Sequence, residues 1–117
     1  MLVSHPVTAD AALFDGLLAS WQLSLRAANK SPRTVENYAE GVVRLAQWLR
    51  AHGHTDDVTQ LTAEQVRGWM VDLKASPGRR GNPTADTTVR GRYVAVKLFL
   101  SWCIAEGELV AHPMVNI

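Results

Sequence analysis

Residues 31–49 read SPRTVENYAEGVVRLAQWL, and the pattern of these residues indicates an α-helical protein. Ser31 can accept a hydrogen bond from a free amide of a first helical turn, and Pro32 then occupies a position where its missing N–H costs nothing. Apolar residues follow at helical spacing: Val35, Tyr38, Val42, Leu45 and Leu49. This stripe predicts an amphipathic helix that ends after His52, with Gly53 as a left-handed stop.

A helix is also predicted before this stretch, over residues 10–28. Asp10 is the expected N-cap, and Asn29 and Lys30 interrupt the pattern. Its apolar residues recur at three- or four-residue steps: Leu13, Leu17, Trp21, Leu25 and Ala28.

After a loop with the sequence HTDDVTQ, a third helix is predicted from Thr62 to about Ser76. Thr62 and Gln65 have capping-box spacing, because Gln65 can reach back to the amide of Thr62. Pro77 disfavours helix in the residue before it. The expected buried side consists of Val66, Trp69, Met70 and Leu73.

The fourth predicted helix spans residues 85–105, with Gly107 as its stop, and follows an exposed loop, SPGRRGNPT. A stripe at four- and three-residue steps is widened by further apolar residues, so this helix is expected to be the most enclosed. The stripe is Val89, Tyr93, Val96, Leu100 and Cys103, and the widening residues are Val94, Leu98, Phe99 and Trp102.

The composition favours one small all-α domain. The chain has 117 residues, 47% of them hydrophobic and 20% charged, which is typical of a globular protein and not of a disordered one. A single cysteine excludes an internal disulfide and a cysteine-based zinc site. No apolar run is long enough to cross a membrane, and the N-terminus lacks the pattern of a secretion signal. We therefore expect a cytoplasmic protein.

The formal net charge of +1 conceals a basic segment. Residues 74–97 carry a net charge of +5, with Asp86 as the one acidic residue, whereas the rest of the chain carries −4. Such asymmetry favours a surface that faces a polyanion, although a solvated loop and helix face explains it equally well. The basic residues are Lys74, Arg79, Arg80, Arg90, Arg92 and Lys97.

Two polar helix faces are candidates for the surface that would contact a polyanion. On the second helix, Arg33, Asn37 and Arg44 lie opposite the apolar stripe, and neighbouring Gly41 would let a partner backbone approach. Ser31 and Thr34 flank free amides at the helix start, which suits a phosphate. Glu36 and Glu40 beside that arc weaken this interpretation, and a capped, solvated face is the alternative.

On the fourth helix, Thr87, Arg90, Lys97 and Ser101 share a face. Arg92 points elsewhere, and it would either fold back toward the backbone of a ligand or be solvated. Arginine can contact guanine edges, and hydroxyls can contact phosphates. An ordinary polar face is again the alternative.

Other potential sites have weaker support. His52, His54, Asp56 and Asp57 do not have a recognised metal-ligand spacing, and no catalytic triad or phosphate loop is present. The four tryptophans are expected to be core anchors, with Trp48 the most exposed of them.

The order of these motifs resembles the N-terminal SAM-like, core-binding domain of tyrosine recombinases and phage integrases. SPRTVENYAEGVVRLAQWL is similar to that family's S-P-x-T-x-x-x-Y and F-x-x-W-L pattern. LTAEQVRGWMVDL and TADTTVRGRYVAVKLFLSWCIAEGEL resemble its third and last helices. HPMVNI resembles its linker, with His112 where asparagine is usual, which puts the asparagine's helix-ending hydrogen bond in doubt.

The resemblance implies a small orthogonal bundle of four to five helices that forms half of a clamp around double-stranded DNA. Residues 1–9 would be a flexible tail, 10–110 the DNA-binding domain, and 111–117 the start of a linker to a catalytic domain of the same protein. This part would have no catalytic residues and no cofactor or metal. Its partners would be duplex DNA, that catalytic domain and other recombinase protomers, with no membrane. The implied DNA contacts are Ser31, Arg33, Thr34, Asn37, Arg79, Arg80, Thr87, Thr88, Arg90 and Lys97, to which the helical wheel adds Arg44.

Two alternatives remain open. The chain would be a helical protein-interaction module if its basic face bound an acidic partner, which predicts no affinity for duplex DNA. A stand-alone enzyme would need a convergent set of acid, base and nucleophile, and the sequence suggests none.

Overall fold

The computed structural model of the protein describes residues 13–76 and 85–115. Within these residues the chain forms four α-helices and one short 3₁₀ turn, which confirms the predicted all-α fold. The helices are α1 (Phe14–Ala27), α2 (Pro32–Ala51), α3 (Ala63–Ala75) and α4 (Asp86–Ala105), and the 3₁₀ turn (Val58–Gln60) precedes α3. None of these helices is long and apolar enough to cross a bilayer.

The start of α1 differs from the prediction. Its N-cap is Leu13 and not Asp10, which lies outside the described residues. Leu13 forms an antiparallel bridge with Asp57, and the Phe14 N–H donates to the Asp56 carbonyl at 3.1 Å, so a distant segment determines where the helix begins. The predicted stripe was wrong at Leu13 and Ala28, which are exposed. The buried residues are Phe14, Leu17, Leu18, Trp21 and Leu25.

The start and end of α2 are as predicted. The Thr34 N–H donates to Ser31 Oγ at 3.2 Å, and Pro32 is the first helical residue. The helix ends at Ala51 with His52 as its C-cap, and Gly53 has a φ of 76°, a left-handed conformation that glycine adopts without strain.

The predicted capping box at α3 is also confirmed. The Gln65 N–H donates to Thr62 Oγ1 at 3.1 Å, and the Thr62 N–H donates to Gln65 Oε1 at 3.0 Å. The segment before it is not a plain loop, because residues 58–60 form the 3₁₀ turn and Val58 is completely buried. Asp57 caps that turn by accepting from the Thr59 N–H at 2.9 Å.

In α4 the predicted stripe is buried, with Tyr93 half-buried, but the predicted widening is only partly right. Phe99 is completely buried and Trp102 half-buried, whereas Val94 and Leu98 are 39% and 42% exposed. The helix advances about 100° per residue, which turns both of these side chains outward. Ala95, outside the predicted stripe, lies in the core instead.

Helices α2 and α4 share the centre of the fold, so α4 is not uniquely enclosed. Each packs against the other and against both α1 and α3. Phe99 stacks on Phe14 at 6.0 Å between ring centroids, and Trp21 stacks on Tyr38 at 5.7 Å. Burial raises the pKa of Cys103 to about 12, so this thiol is a core group and not a nucleophile.

The segment after α4 packs back on the domain. Leu109 and Met114 are buried, so residues on both sides of the predicted domain boundary at 110–111 pack against the helices, and that boundary stays a prediction. His112 Nε2 lies 3.1 Å from the Lys97 carbonyl oxygen, and His112 Nδ1 accepts from the Met114 N–H at 3.1 Å. His112 therefore ties this segment to α4 where relatives are expected to use asparagine.

Candidate nucleic-acid interface

The two helices that carry the predicted DNA contacts cross at Gly41. A Cβ atom placed on Gly41 would lie 2.9 Å from the Ala95 Cβ and 3.1 Å from the Arg92 carbonyl oxygen. Such distances leave no room for a side chain. The sequence predicted that Gly41 would let the backbone of a partner molecule approach, and this was wrong, because Gly41 is buried and the backbone beside it is that of α4.

A groove lies beside this crossing and brings three predicted site residues together. Asn37 borders it from α2, and Thr87 and Thr88 border it from α4. Its remaining lining residues are Tyr38, Glu40, Gly91 and Arg92. The groove thus combines an amide, three hydroxyls and a guanidinium, all able to donate hydrogen bonds, with the Glu40 carboxylate as an acceptor.

The beginning of α2 continues this surface. Ser31 caps the helix and also donates to Thr34 Oγ1 at 2.9 Å, so the two hydroxyls contact each other. Arg33 is exposed and lies one helical turn before Asn37, on the same side of α2. The structure therefore keeps Arg33 and Asn37 on one exposed edge.

Arg44 lies on that edge too, but it already has a partner. Its Nε is 2.6 Å from Glu40 Oε2, and both side chains are about half exposed. An exposed pair of this spacing within a helix contributes only about 0.3–0.5 kcal/mol, so an anion can compete for Arg44.

Arg92 borders the groove, although the predicted set of contact residues did not include it. It is half-buried, and no hydrogen bond or ion pair holds its guanidinium within the described residues. Burial lowers the Arg92 pKa, nearby Arg44 lowers it further, and Glu40 opposes these effects. The helical wheel showed only that the Arg92 side chain points away from the helix face that carries Arg90. Its position depends on how α2 and α4 cross, which no local pattern reveals.

Arg90 and Lys97 are exposed but do not line the groove. Arg90 precedes Arg92 by two residues, so the two side chains point to nearly opposite sides of α4. The exposed face continues from Thr87 at the groove to Arg90, about 60° around the helix. Lys97 is about 15 Å further along than Thr87, with its Nζ 5.9 Å from the centre of the Tyr93 ring.

Two predicted contacts cannot be located. Arg79 and Arg80 lie in residues 77–84, outside the described residues, so their place relative to the groove stays a prediction.

The residues considered for a metal site have other partners. Asp56 pairs with Arg50 at 3.0 Å, and Asp57 caps the 3₁₀ turn. His52 stacks on Trp48 with 4.1 Å between ring centroids. Among residues 13–76 and 85–115, no cluster of three or more potential metal ligands occurs.

Trp48 is half-buried, as its place at the edge of the stripe suggested. Its Nε1 donates to Asp72 Oδ2 at 2.8 Å, and its ring covers Gly68 of α3. Its contacts in the structure therefore join α2 to α3.

Comparisons with known proteins give one result. The profile of a family described as "Phage integrase, N-terminal SAM-like domain" matches residues 18–107, which include all four described helices apart from the start of α1. Searches of curated proteins and of solved structures returned no match. The chain therefore belongs to the phage integrase N-terminal SAM-like domain family, the non-catalytic N-terminal part of integrases.

Proposed function

We propose that this domain binds double-stranded DNA as the core-binding half of a site-specific tyrosine recombinase used in DNA integration and recombination. The family supports an integrase context. The observation that carries the proposal is the crossing at Gly41, which gathers Asn37, Thr87 and Thr88 around one groove with exposed basic side chains on both sides. The partner is the DNA on which such enzymes act.

The contacts divide by chemistry. Ser31, Arg33 and Thr34 at the start of α2 bind backbone phosphates, because a helix N-terminus favours anions. Asn37 and Thr87 are placed where α2 and α4 meet and contact base edges. Arg90 and Lys97 extend the contact along α4. Arg44, Thr88, Arg79 and Arg80 add backbone contacts.

The domain forms one arm of a clamp in this proposal. A catalytic domain of the same protein, with the tyrosine nucleophile, binds the opposite side of the duplex, and further protomers assemble on the DNA. Two linked arms bind far more tightly than one, so the domain alone has modest affinity. The reaction takes place in the cytoplasm.

A second candidate function is binding of an acidic protein. Val94 and Leu98 are partly exposed on α4, close in the helix to Lys97, and a mixed apolar and basic face suits a protein partner. This candidate predicts no affinity for duplex DNA at low salt, which separates it from the first.

A salt titration tests the first proposal. Binding of the 117-residue chain to a fluorescein-labelled duplex is measured by anisotropy for the wild type, the double variant Arg90→Ala/Lys97→Ala, and Arg33→Ala. Each lost phosphate contact should make the plot of log affinity against log salt shallower by about 0.9 units, so the double variant should lose about 1.8 units.

Arg67→Ala is the matched control, because Arg67 is an exposed arginine of α3 that does not line the groove. It should bind with nearly the wild-type slope. Equal affinities and slopes for the wild type and the double variant would exclude the α4 face, and absence of any duplex binding at low salt would favour the acidic-protein alternative.

A further inference from the structure

Two arginines and one carboxylate meet beside the crossing of α2 and α4. Arg92 and Glu40 line the groove, and Glu40 Oε2 is 2.6 Å from Arg44 Nε. Glu40 therefore neighbours both arginines, since it pairs with Arg44 and borders the same groove as Arg92, and the Arg44 charge lowers the Arg92 pKa. This group therefore has a local charge of +1, with its cations held together by the fold.

The Glu40 carboxylate forms an ion pair with only one of these two arginines. Glu40 forms its ion pair with Arg44, whereas no hydrogen bond or ion pair engages Arg92 within the described part of the chain. Glu40 attracts Arg92 but forms no hydrogen bond with it, and a partly desolvated guanidinium that has lost water without gaining a hydrogen-bond acceptor among the described residues is unfavourable. An anion that enters the groove would therefore supply the hydrogen-bond acceptor that the Arg92 guanidinium lacks.

The other lining residues fit a phosphate. Thr87 and Thr88 offer hydroxyls, and Asn37 offers an amide N–H, at the same groove. Glu40 is the one carboxylate among the lining residues, so it is the one charge there that repels an anion. Arginine binds phosphate oxygens through two parallel N–H bonds, which gives a fixed geometry.

We infer that Arg44 and Arg92 form a clamp for one backbone phosphate of the bound duplex, and that Glu40 weakens the clamp by competing for Arg44. The inference rests on the proposed DNA-binding function. It adds to that function a phosphate contact by Arg92 and assigns Glu40 as an attenuator of affinity.

Removing the charge of Arg92 and removing the charge of Glu40 should have opposite effects on duplex binding. Arg92→Met keeps most of the apolar stem but removes the charge, so it should make the salt dependence shallower by about one unit. Arg92→Lys should keep the slope, because it keeps the charge. Glu40→Gln removes the repulsion and frees Arg44, and should tighten duplex binding by about fivefold at low salt.

The experiment repeats the anisotropy titration with these three variants and with Arg67→Met as the matched control, which should retain wild-type binding. Thermal unfolding followed by circular dichroism identifies any variant that has lost its fold, and Arg92→Lys separates loss of charge from loss of packing. Inorganic phosphate is compared with chloride at equal ionic strength, and it should compete no better, because a free ion lacks the rest of the duplex contact.

The outcomes separate this inference from the proposed function. If the wild type binds and Arg90→Ala/Lys97→Ala reduces the slope, but the folded Arg92→Met and Glu40→Gln variants bind like the wild type, the clamp is wrong and the function stands. If phosphate competes far better than chloride, the site takes a free anion and the DNA clamp is wrong. If the wild type does not bind duplex at all, the proposed function itself fails.

Discussion

Gly41 controls the geometry of the proposed interface at the scale of a single residue. Its missing side chain lets α2 approach the backbone of α4 at Arg92, and the groove between Asn37 and Thr88 lies beside this contact. Any larger residue would separate the helices and change the distance between the side chains that border the groove. The close approach thus serves packing and, in our proposal, DNA binding.

We therefore expect Gly41→Ala to destabilise the domain. Helix propensity alone would favour alanine by about 1 kcal/mol. Overpacking against the Ala95 Cβ and the Arg92 carbonyl oxygen costs about 1–3 kcal/mol, and a backbone atom cannot rotate away. The free energy of unfolding, measured with urea, should fall below that of the wild type.

Gly16→Ala is the control for this change. Gly16 is in α1, and a Cβ atom placed on it would meet no other part of the described chain within 4 Å, its own helix backbone and adjacent residues aside. Alanine there should therefore stabilise the domain by about 0.5–1 kcal/mol. A Gly41→Ala variant that gains as much stability as Gly16→Ala would show that α2 and α4 are not in close contact.

At the scale of elements, the sequence predicts best what local hydrogen bonds determine. Ser31 with Pro32 and Thr62 with Gln65 mark helix starts through partners no more than three residues away. The start of α1 was mispredicted because its N-cap pairs with Asp57, far along the chain. Apolar residues alone could not show that Leu98 faces outward.

The capping box of α3 gives a prediction at this scale. Thr62→Ala removes the acceptor for the Gln65 N–H and leaves the first turn with an unsatisfied donor, so the free energy of unfolding should fall by about 1 kcal/mol. Urea unfolding followed by circular dichroism measures the change. Gln47→Ala, at an exposed position of α2, should have little effect. Equal stability of Thr62→Ala and the wild type would rule out a stabilising cap.

At the scale of the whole molecule, the candidate site is harder to predict from the sequence than the helices are, because it depends on how two helices pack together. Helical wheels identified Asn37 on α2, and the family resemblance implied Thr88 on α4, but only the crossing of the helices shows that they share a groove. The same crossing places Arg92 beside Arg44 and Glu40. A helical wheel describes one helix at a time, so it could not show that Arg92 of α4 borders the same groove as Asn37 of α2.

Chemical-shift mapping of the backbone amides by NMR, during titration with duplex DNA, would locate the DNA-binding surface residue by residue. We predict that the largest shifts occur in the first half of α2, around Arg33 and Asn37, and in the first half of α4, around Thr87 and Arg90. Shifts concentrated on α3 and on the segment after α4, with these residues unchanged, would contradict the proposed interface.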